Sequence, residues 1–214
     1  MPIKAIFFDV GETVVDETNT WNGWADWLNI PRFTFHATLG AVIAQGRHQL
    51  EIFRIFAPER KWPELLAQRE AEQPDFGFTA DDLYPDAQPT LQALQAAGFR
   101  IGIAGNQPPR AARILESSTL PYEWLLISEL AGVEKPSTAF FARLVELTSL
   151  SPEEIAYVGD RVDNDVLPAL EAGLIAVHLR RGPWGYIQAQ APAVRRAHLR
   201  IDTLAELPQR LSEI

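Results

Sequence analysis

The chain has 214 residues, of which 47% are apolar and 22% are charged, and its formal net charge is −9. This composition is ordinary for a globular protein and excludes collagen-like and low-complexity classes. The absence of cysteine excludes disulfides and zinc–thiolate sites and fits a reducing cytoplasm, where we expect the protein to act. The chain has no dense run of Lys and Arg, which argues against a nucleic-acid partner. No apolar run approaches the roughly 18 residues that would span a membrane.

The first predicted element is a buried strand. Residues 3–8 are mostly apolar, and the run ends at Asp9. Such a continuous apolar run is typical of a strand that is covered on both faces.

A predicted helical region follows. Apolar residues such as Trp21, Trp24 and Leu28 recur at helical spacing, and prolines punctuate the stretch. We therefore predict a small all-helical domain over residues 17–83, inserted into a discontinuous core domain formed by residues 1–16 and 84–214.

Beyond residue 84, predicted strands alternate with predicted helices. Asp86 is expected to cap the first helix, and Ser137 and Ser151 are expected to cap later ones. The predicted strands and a closing helix lie at residues 100–104, 123–127, 155–158, 174–178 and 203–214. This alternation predicts an α/β fold, with a doubly wound parallel sheet and helices on both faces.

Polar side chains end three of the predicted strands. Asp9, Asn106 and Asp160 follow the first, second and fourth strands, and the carboxyl edge of a parallel sheet is where functional groups gather. If the first and fourth strands are neighbours, about 4.8 Å apart, both carboxylates can reach one Mg²⁺. Two carboxylates that close repel each other unless a cation lies between them.

The chain resembles the haloacid dehalogenase (HAD) superfamily in four short motifs that occur in the expected order. These motifs are Phe7-Phe8-Asp9-Val10-Gly11-Glu12-Thr13, Gly105-Asn106, Gly132-Val133-Glu134-Lys135-Pro136 and Gly159-Asp160-Arg161-Val162-Asp163-Asn164-Asp165. The resemblance implies a Rossmann-like catalytic core with a helical cap between the first and second motifs. It also implies a Mg²⁺-dependent phosphatase that acts on a small phosphorylated metabolite.

The resemblance assigns roles to individual residues. Asp9 would attack the phosphoryl group and form an aspartyl-phosphate. The Mg²⁺ ligands that it implies are Asp9, Asp160, the backbone carbonyl of Gly11 and, mainly through a bound water, Asp165. Lys135 would neutralise the assembly of Asp9 and phosphate.

Asn106 would donate hydrogen bonds to the phosphoryl oxygens. The oligomeric state and the identity of the substrate are left open by the sequence.

The motifs depart from the usual family pattern at two positions. Gly11 stands where most phosphatases of the family have a second Asp, the general acid and base, and Gly105 stands where they have Ser or Thr. The adjacent Glu12 is a candidate to replace this missing acid, but neighbouring residues point in different directions, which argues against the replacement. The departures predict a slow enzyme, or a substrate whose leaving group needs little protonation, such as an anomeric or acyl phosphate.

Two alternatives remain at this point. One is a 2-haloacid dehalogenase-type hydrolase of the same superfamily, which works without metal. The other is a catalytically weak or inactive protein that binds ligands with the same fold.

Overall fold

A computed structural model describes residues 2–214, which divide into two compact units. The larger unit combines the residues up to Asp16 with Thr79–Ile214, and the smaller unit is Glu17–Phe78. The smaller unit therefore ends at Phe78, five residues before the predicted end at residue 83. The chain rejoins the larger unit earlier than predicted because Leu83 already pairs with Val15 of that unit as an isolated bridge.

The larger unit is built on a parallel sheet, which has six strands among the residues described. In chain order, these are β1 (Ala5–Phe8), β2 (Arg100–Gly105), β3 (Trp124–Ile127), β4 (Ile155–Gly159), β5 (Ile175–Leu179) and β6 (Leu199–Ile201). Their order across the sheet is β3-β2-β1-β4-β5-β6. This is the predicted doubly wound sheet, and β1 is the neighbour of β4 as the sequence suggested.

The smaller unit is helical. Its helices are α1 (Thr18–Trp27), α2 (Arg32–Ala44), α3 (Ile52–Phe56) and α4 (Trp62–Glu72). Their buried faces meet in an aromatic cluster in which the Trp24 ring centroid lies 4.7 Å from that of Phe53 and 5.4 Å from that of Trp62. The helical spacing of the tryptophans therefore reflects packing.

Seven more helices occur in the described part of the larger unit. They are α5 (Ala87–Ala96), α6 (Pro109–Glu116), α7 (Ser128–Ala131), α8 (Thr138–Thr148), α9 (Leu167–Glu171), α10 (Gly182–Gln188) and α11 (Leu207–Arg210). Phe140, Phe141 and Leu144 of α8 pack against β1 and β4 in a cluster that includes Phe7 and Tyr157. All four residues of β1 are buried, as expected for a central parallel strand.

Two predicted details of the chain's last part are wrong. The strand β6 was not predicted, because three residues reading Leu-Arg-Ile carry little strand signal. The predicted continuous helix over residues 203–214 is broken into two 3₁₀ turns around α11. Pro208 lies in the first turn of α11, where proline is tolerated, whereas in the interior of a longer helix it would remove a hydrogen bond and clash.

The predicted helix caps have mixed outcomes. Ser137 accepts a hydrogen bond from the Ala139 N–H at 3.3 Å, and Ser151 forms a capping box with Glu154. Asp86 is the N-cap residue of α5, as predicted, but its side chain makes no capping hydrogen bond. Its carboxylate instead binds residues from elsewhere in the larger unit.

Candidate active site

The candidate site lies at the carboxyl ends of β1, β2 and β4, where the strand order reverses. β1 pairs with β2 on one side and with β4 on the other, with Phe8 opposite Ile103 and Val158. The next residues therefore emerge together at one edge of the sheet. In open α/β sheets this switch point is where ligands bind.

Three buried carboxylates converge there. Asp9, Asp160 and Asp165 each offer an oxygen within 4.8 Å of the others. Asp9 is 7% exposed, and the other two are at most 2% exposed. Such a buried set of oxygens suits a hard divalent cation.

Lys135 lies against two of these acids. Its Nζ is 2.7 Å from Asp9 Oδ1 and 2.6 Å from Asp165 Oδ1, and the side chain is buried. The Lys135 ammonium also lies over the rings of Tyr157 and Phe140, at 5.3 and 5.9 Å. The lysine is thus a buried positive charge shared by two of the three carboxylates.

Burial dominates the electrostatics of these groups. Burial raises the pKa of the Asp9 carboxyl to about 6, although Lys135 pulls in the opposite direction. Burial, with Asp165 and Asp9 nearby, holds the pKa of Asp160 well above its usual range. Burial alone would lower the pKa of Lys135, but the two carboxylates outweigh it and raise that pKa well above its usual value.

Asp165 is placed by the turn after β4. Residues Val162–Val166 form a single π-helical turn, a feature that is frequent at functional sites. Asp165 Oδ2 accepts a hydrogen bond from the Arg161 N–H at 2.9 Å. A Cβ at Gly159 would lie 2.3 Å from Asp165 Oδ2, so only glycine at that position leaves room for this carboxylate.

Asn106 binds the backbone of Lys135. The Asn106 Nδ2 donates to the Lys135 carbonyl at 2.8 Å, and Asn106 Oδ1 accepts from the Lys135 N–H at 2.8 Å. The side chain therefore ties the end of β2 to the loop that carries the lysine. Its implied contact with phosphoryl oxygens stays a prediction.

Gly105 allows a close approach to Asp9. A Cβ at Gly105 would lie 2.8 Å from Asp9 Oδ1 and 2.9 Å from Val10 Cγ2. The second departure from the family pattern thus has a steric correlate, because a side chain here would displace Asp9 from its position beside Lys135.

The acidic group fits a magnesium ion. Asp160 Oδ2 is buried and has no hydrogen-bond partner among residues 2–214, and a buried carboxylate oxygen with no partner is costly. Gly11, the implied carbonyl ligand, lies two residues after Asp9 and its backbone pairs with Val15. The carboxylates and the carbonyl are the oxygen donors that Mg²⁺ prefers.

Several residues around the site were not identified from the sequence. Tyr157 donates from its hydroxyl to the Ala104 carbonyl at 2.7 Å, and Tyr84 donates to Glu12 Oε2 at 2.7 Å. Arg181 donates to the Thr13 carbonyl at 2.9 Å. Of these residues, only Tyr157 stood out in the sequence, as a polar hydroxyl within an apolar strand.

Other charged side chains form ion pairs with residues outside the acidic group. Arg180 pairs with Asp202 at 2.6 Å, and Arg47 pairs with Glu51 at 2.7 Å. Asp163 binds Arg161 at 2.8 Å. Among residues 2–214, no helix is both long enough and apolar enough to cross a membrane.

Comparisons with known proteins identify relatives of the chain. A family model described as haloacid dehalogenase-like hydrolase matches residues 3–173. A glyceraldehyde 3-phosphate phosphatase of Methanopyrus kandleri is 35% identical over 127 residues, which cover 57% of this chain and only 54% of the relative. A protein of the same name from Pyrococcus furiosus is 29% identical over 205 residues, covering 88% of this chain and 85% of the relative.

The fold also matches a solved structure. The structure of a HAD-hydrolase from Bacillus subtilis bound to magnesium superposes with a TM-score of 0.73 at 21% identity, covering 99% of each chain. At this level of identity the likeness concerns the fold alone.

Proposed function

Because the chain belongs to the haloacid dehalogenase-like hydrolases, we propose that it is a Mg²⁺-dependent phosphatase of small phosphorylated metabolites. The observation that carries the proposal is the convergence of three buried carboxylates at the switch point of the sheet, two of which contact the buried Lys135. The names of two relatives, both glyceraldehyde 3-phosphate phosphatases, support the same reaction class.

The metal would be held by residues of this acidic group. Its ligands would be Asp9, Asp160, the Gly11 carbonyl and, mainly through a water, Asp165. When bound, Mg²⁺ supplies positive charge to the phosphoryl oxygens. This charge offsets the repulsion between the carboxylates and an anionic substrate in a protein of net charge −9.

Asp9 would act as the nucleophile. An Asp9 carboxylate oxygen attacks phosphorus, the bond from phosphorus to the ester oxygen breaks, and the leaving group departs with the electron pair. Water then attacks the aspartyl-phosphate, which releases phosphate and restores the Asp9 carboxylate. Lys135, already 2.7 Å from Asp9 Oδ1, stabilises negative charge in both steps.

The leaving group would depart with little help from a general acid. Gly11 carries no carboxyl group, and a positioned acid usually contributes about 10²–10⁴-fold. We therefore propose substrates with good leaving groups, such as acyl or anomeric phosphates. Phenolic phosphates should be hydrolysed faster than simple alkyl phosphates, and equal rates would contradict this part of the proposal.

The experiment is a measurement of phosphate release from a metabolite panel, with and without Mg²⁺. The wild type is compared with Asp9→Asn and with Asp75→Asn, a matched change at an exposed residue of the smaller unit. We expect metal-dependent release that Asp9→Asn abolishes and Asp75→Asn retains.

Two other outcomes favour the alternatives. Halide release from 2-haloacids without metal would indicate a dehalogenase, a reading that the unpartnered Asp160 Oδ2 disfavours. No turnover of any substrate would favour a ligand-binding protein. A cytoplasmic location stays a prediction from the lack of cysteine.

A further inference from the structure

Glu12 occupies an unusual position in the loop after β1. It is 6% exposed, and its φ of 53° lies in the left-handed region, which few residues other than glycine adopt. Its N–H donates to the Val15 carbonyl at 2.7 Å. A strained backbone and a buried carboxylate are retained together only where the surroundings impose them.

The surroundings of the Glu12 side chain come from two other segments. The Tyr84 hydroxyl donates to Glu12 Oε2 at 2.7 Å. Burial, reinforced by the Glu12 charge, raises the pKa of Tyr84 far above its usual value, so the phenol keeps the proton that it donates. A Cβ at Gly182 would lie 2.5 Å from both Glu12 Cγ and Glu12 Oε2.

Arg181 holds the tyrosine in place. Its guanidinium carbon lies 4.1 Å from the centroid of the Tyr84 ring. The same group donates to the Thr13 carbonyl at 2.9 Å and to the Asp86 carboxylate. Asp86 also accepts from the Leu204 N–H at 3.0 Å. The loop after β1 is thus tied to the start of α5 and to the loop after β5.

We propose that Glu12 is a positioning residue, which fixes the loop carrying Asp9 and the Gly11 carbonyl through its contacts with Tyr84 and Gly182. It does not replace the missing general acid. A general acid must come within about 3 Å of the leaving-group oxygen. Glu12 Oε2 already accepts from the Tyr84 hydroxyl at 2.7 Å, an arrangement that favours positioning over proton donation. The consequence for catalysis rests on the proposed phosphatase function, whereas the consequence for metal binding does not.

The first test measures Mg²⁺ affinity without substrate, by calorimetry and by the rise in melting temperature that Mg²⁺ causes. Tyr84→Phe removes the hydroxyl, and Gly182→Ala pushes against Glu12 from the other side. Loss of a partner that orients ligands typically weakens metal binding about 10- to 100-fold, and we expect at least the lower figure for both variants.

Matched controls separate this effect from general damage. Tyr186→Phe makes the same change at an exposed tyrosine. Gly98→Ala adds a Cβ at another glycine with positive φ, +94°, where the new Cβ would meet no other residue within 4 Å. Both controls should bind Mg²⁺ like the wild type. If Tyr84→Phe and Gly182→Ala bind Mg²⁺ as tightly as the wild type does, the proposal is overturned. It is also overturned if the wild type binds no Mg²⁺.

The second test compares Glu12→Gln with Glu12→Ala. The amide oxygen of glutamine can still accept from Tyr84, so Glu12→Gln should keep more Mg²⁺ affinity and a higher kcat than Glu12→Ala, with an unchanged pH profile. A general acid would behave differently. In that case Glu12→Gln would lose about 10²–10⁴-fold in kcat and one limb of the pH profile, with Mg²⁺ affinity intact.

The two proposals fail in different ways. A wild type that binds Mg²⁺ but hydrolyses no phosphate ester contradicts the proposed function only. The metal-affinity comparison of Tyr84→Phe and Gly182→Ala then still decides the role of Glu12.

Discussion

Among residues 2–214, each unit buries one cationic side chain, and the two side chains contact different groups. Arg69 in the smaller unit is 2% exposed, with its guanidinium carbon 4.1 Å from the Trp24 ring centroid and 4.6 Å from that of Phe76. Lys135 in the larger unit is 3% exposed and lies between the carboxylates of Asp9 and Asp165. Ring faces do not ionise or bind Mg²⁺, whereas carboxylates do both.

This difference distinguishes a cation held by packing, Arg69, from the cation for which we propose a function, Lys135. The rings that contact Arg69 keep the same state at any ordinary pH. The Arg32 hydrogen bond, with a smaller contribution from the Arg69 charge, lowers the pKa of Asp26, so this nearby carboxylate also stays ionised between pH 5 and pH 8. The surroundings of Lys135 change with pH and with metal. We therefore expect stability to depend on pH and Mg²⁺ through the larger unit, and the following experiments test that contrast in order of decreasing effect.

Lys135→Met should have the largest effect. It leaves two buried carboxylates without their cation, and breaking a buried pair in this way costs about 3–5 kcal/mol. The loss should be greater at pH 8 than at pH 5, because burial raises the pKa of Asp9 to about 6 and its carboxyl group can take up a proton at the lower pH. Phosphate release should fall by at least about 10²–10³-fold. Urea unfolding and a steady-state assay measure both, with the exposed Lys61→Met as the control.

The pH dependence of the metal-free protein comes next. The pKa of Asp9 is raised from 3.8 to about 6, so the folded state binds more protons than the unfolded state between these values. The free energy of unfolding therefore falls as pH rises through this window, by roughly 3 kcal/mol at most. Asp9→Asn removes the titration.

The measurement is the difference in unfolding free energy between wild type and Asp9→Asn, with a chelator, at pH 4 and pH 7. Taking the difference cancels the contribution of other titrating groups. Added Mg²⁺ should reverse the loss at pH 7. If the wild type instead gained stability relative to Asp9→Asn as pH rose, the assignment of burial as the dominant cause would be wrong.

Arg69→Met should have a smaller, pH-independent effect. A desolvated cation over aromatic rings contributes about 2 kcal/mol, and this loss should be the same at pH 5 and pH 8. Arg69→Lys keeps the charge but not the planar stacking, so its stability should lie between that of the wild type and that of Arg69→Met. Melting curves at both pH values check this, and a pH-dependent loss would erase the proposed contrast between the units.

Tyr157→Phe should have the smallest effect. It removes the hydrogen bond from the hydroxyl to the Ala104 carbonyl, which is 2.7 Å long. A single hydrogen bond of this kind contributes about 1 kcal/mol. Because the ring stays beside Lys135, phosphate release should change little, and a large loss of kcat would instead place the hydroxyl in the reaction.

Much of the larger unit follows from local sequence patterns. The apolar run ending at Asp9, and the regular alternation after residue 84, predict a parallel sheet with helices on both faces, and the structure has this sheet. The polar residues that end β1 and β4 follow from the same patterns, since period and composition are local properties. Short elements such as β6 escape this reasoning because three residues carry too little pattern.

The sequence by itself determined the α/β fold, the inserted helices and the acidic residues that end the strands. Only the tertiary structure decided which side chains meet: Asn106 on the Lys135 backbone, Lys135 between Asp9 and Asp165, and Tyr84 on Glu12. The physical reason is that these contacts join segments far apart in the chain, and their geometry is set by packing. Local propensity does not encode it.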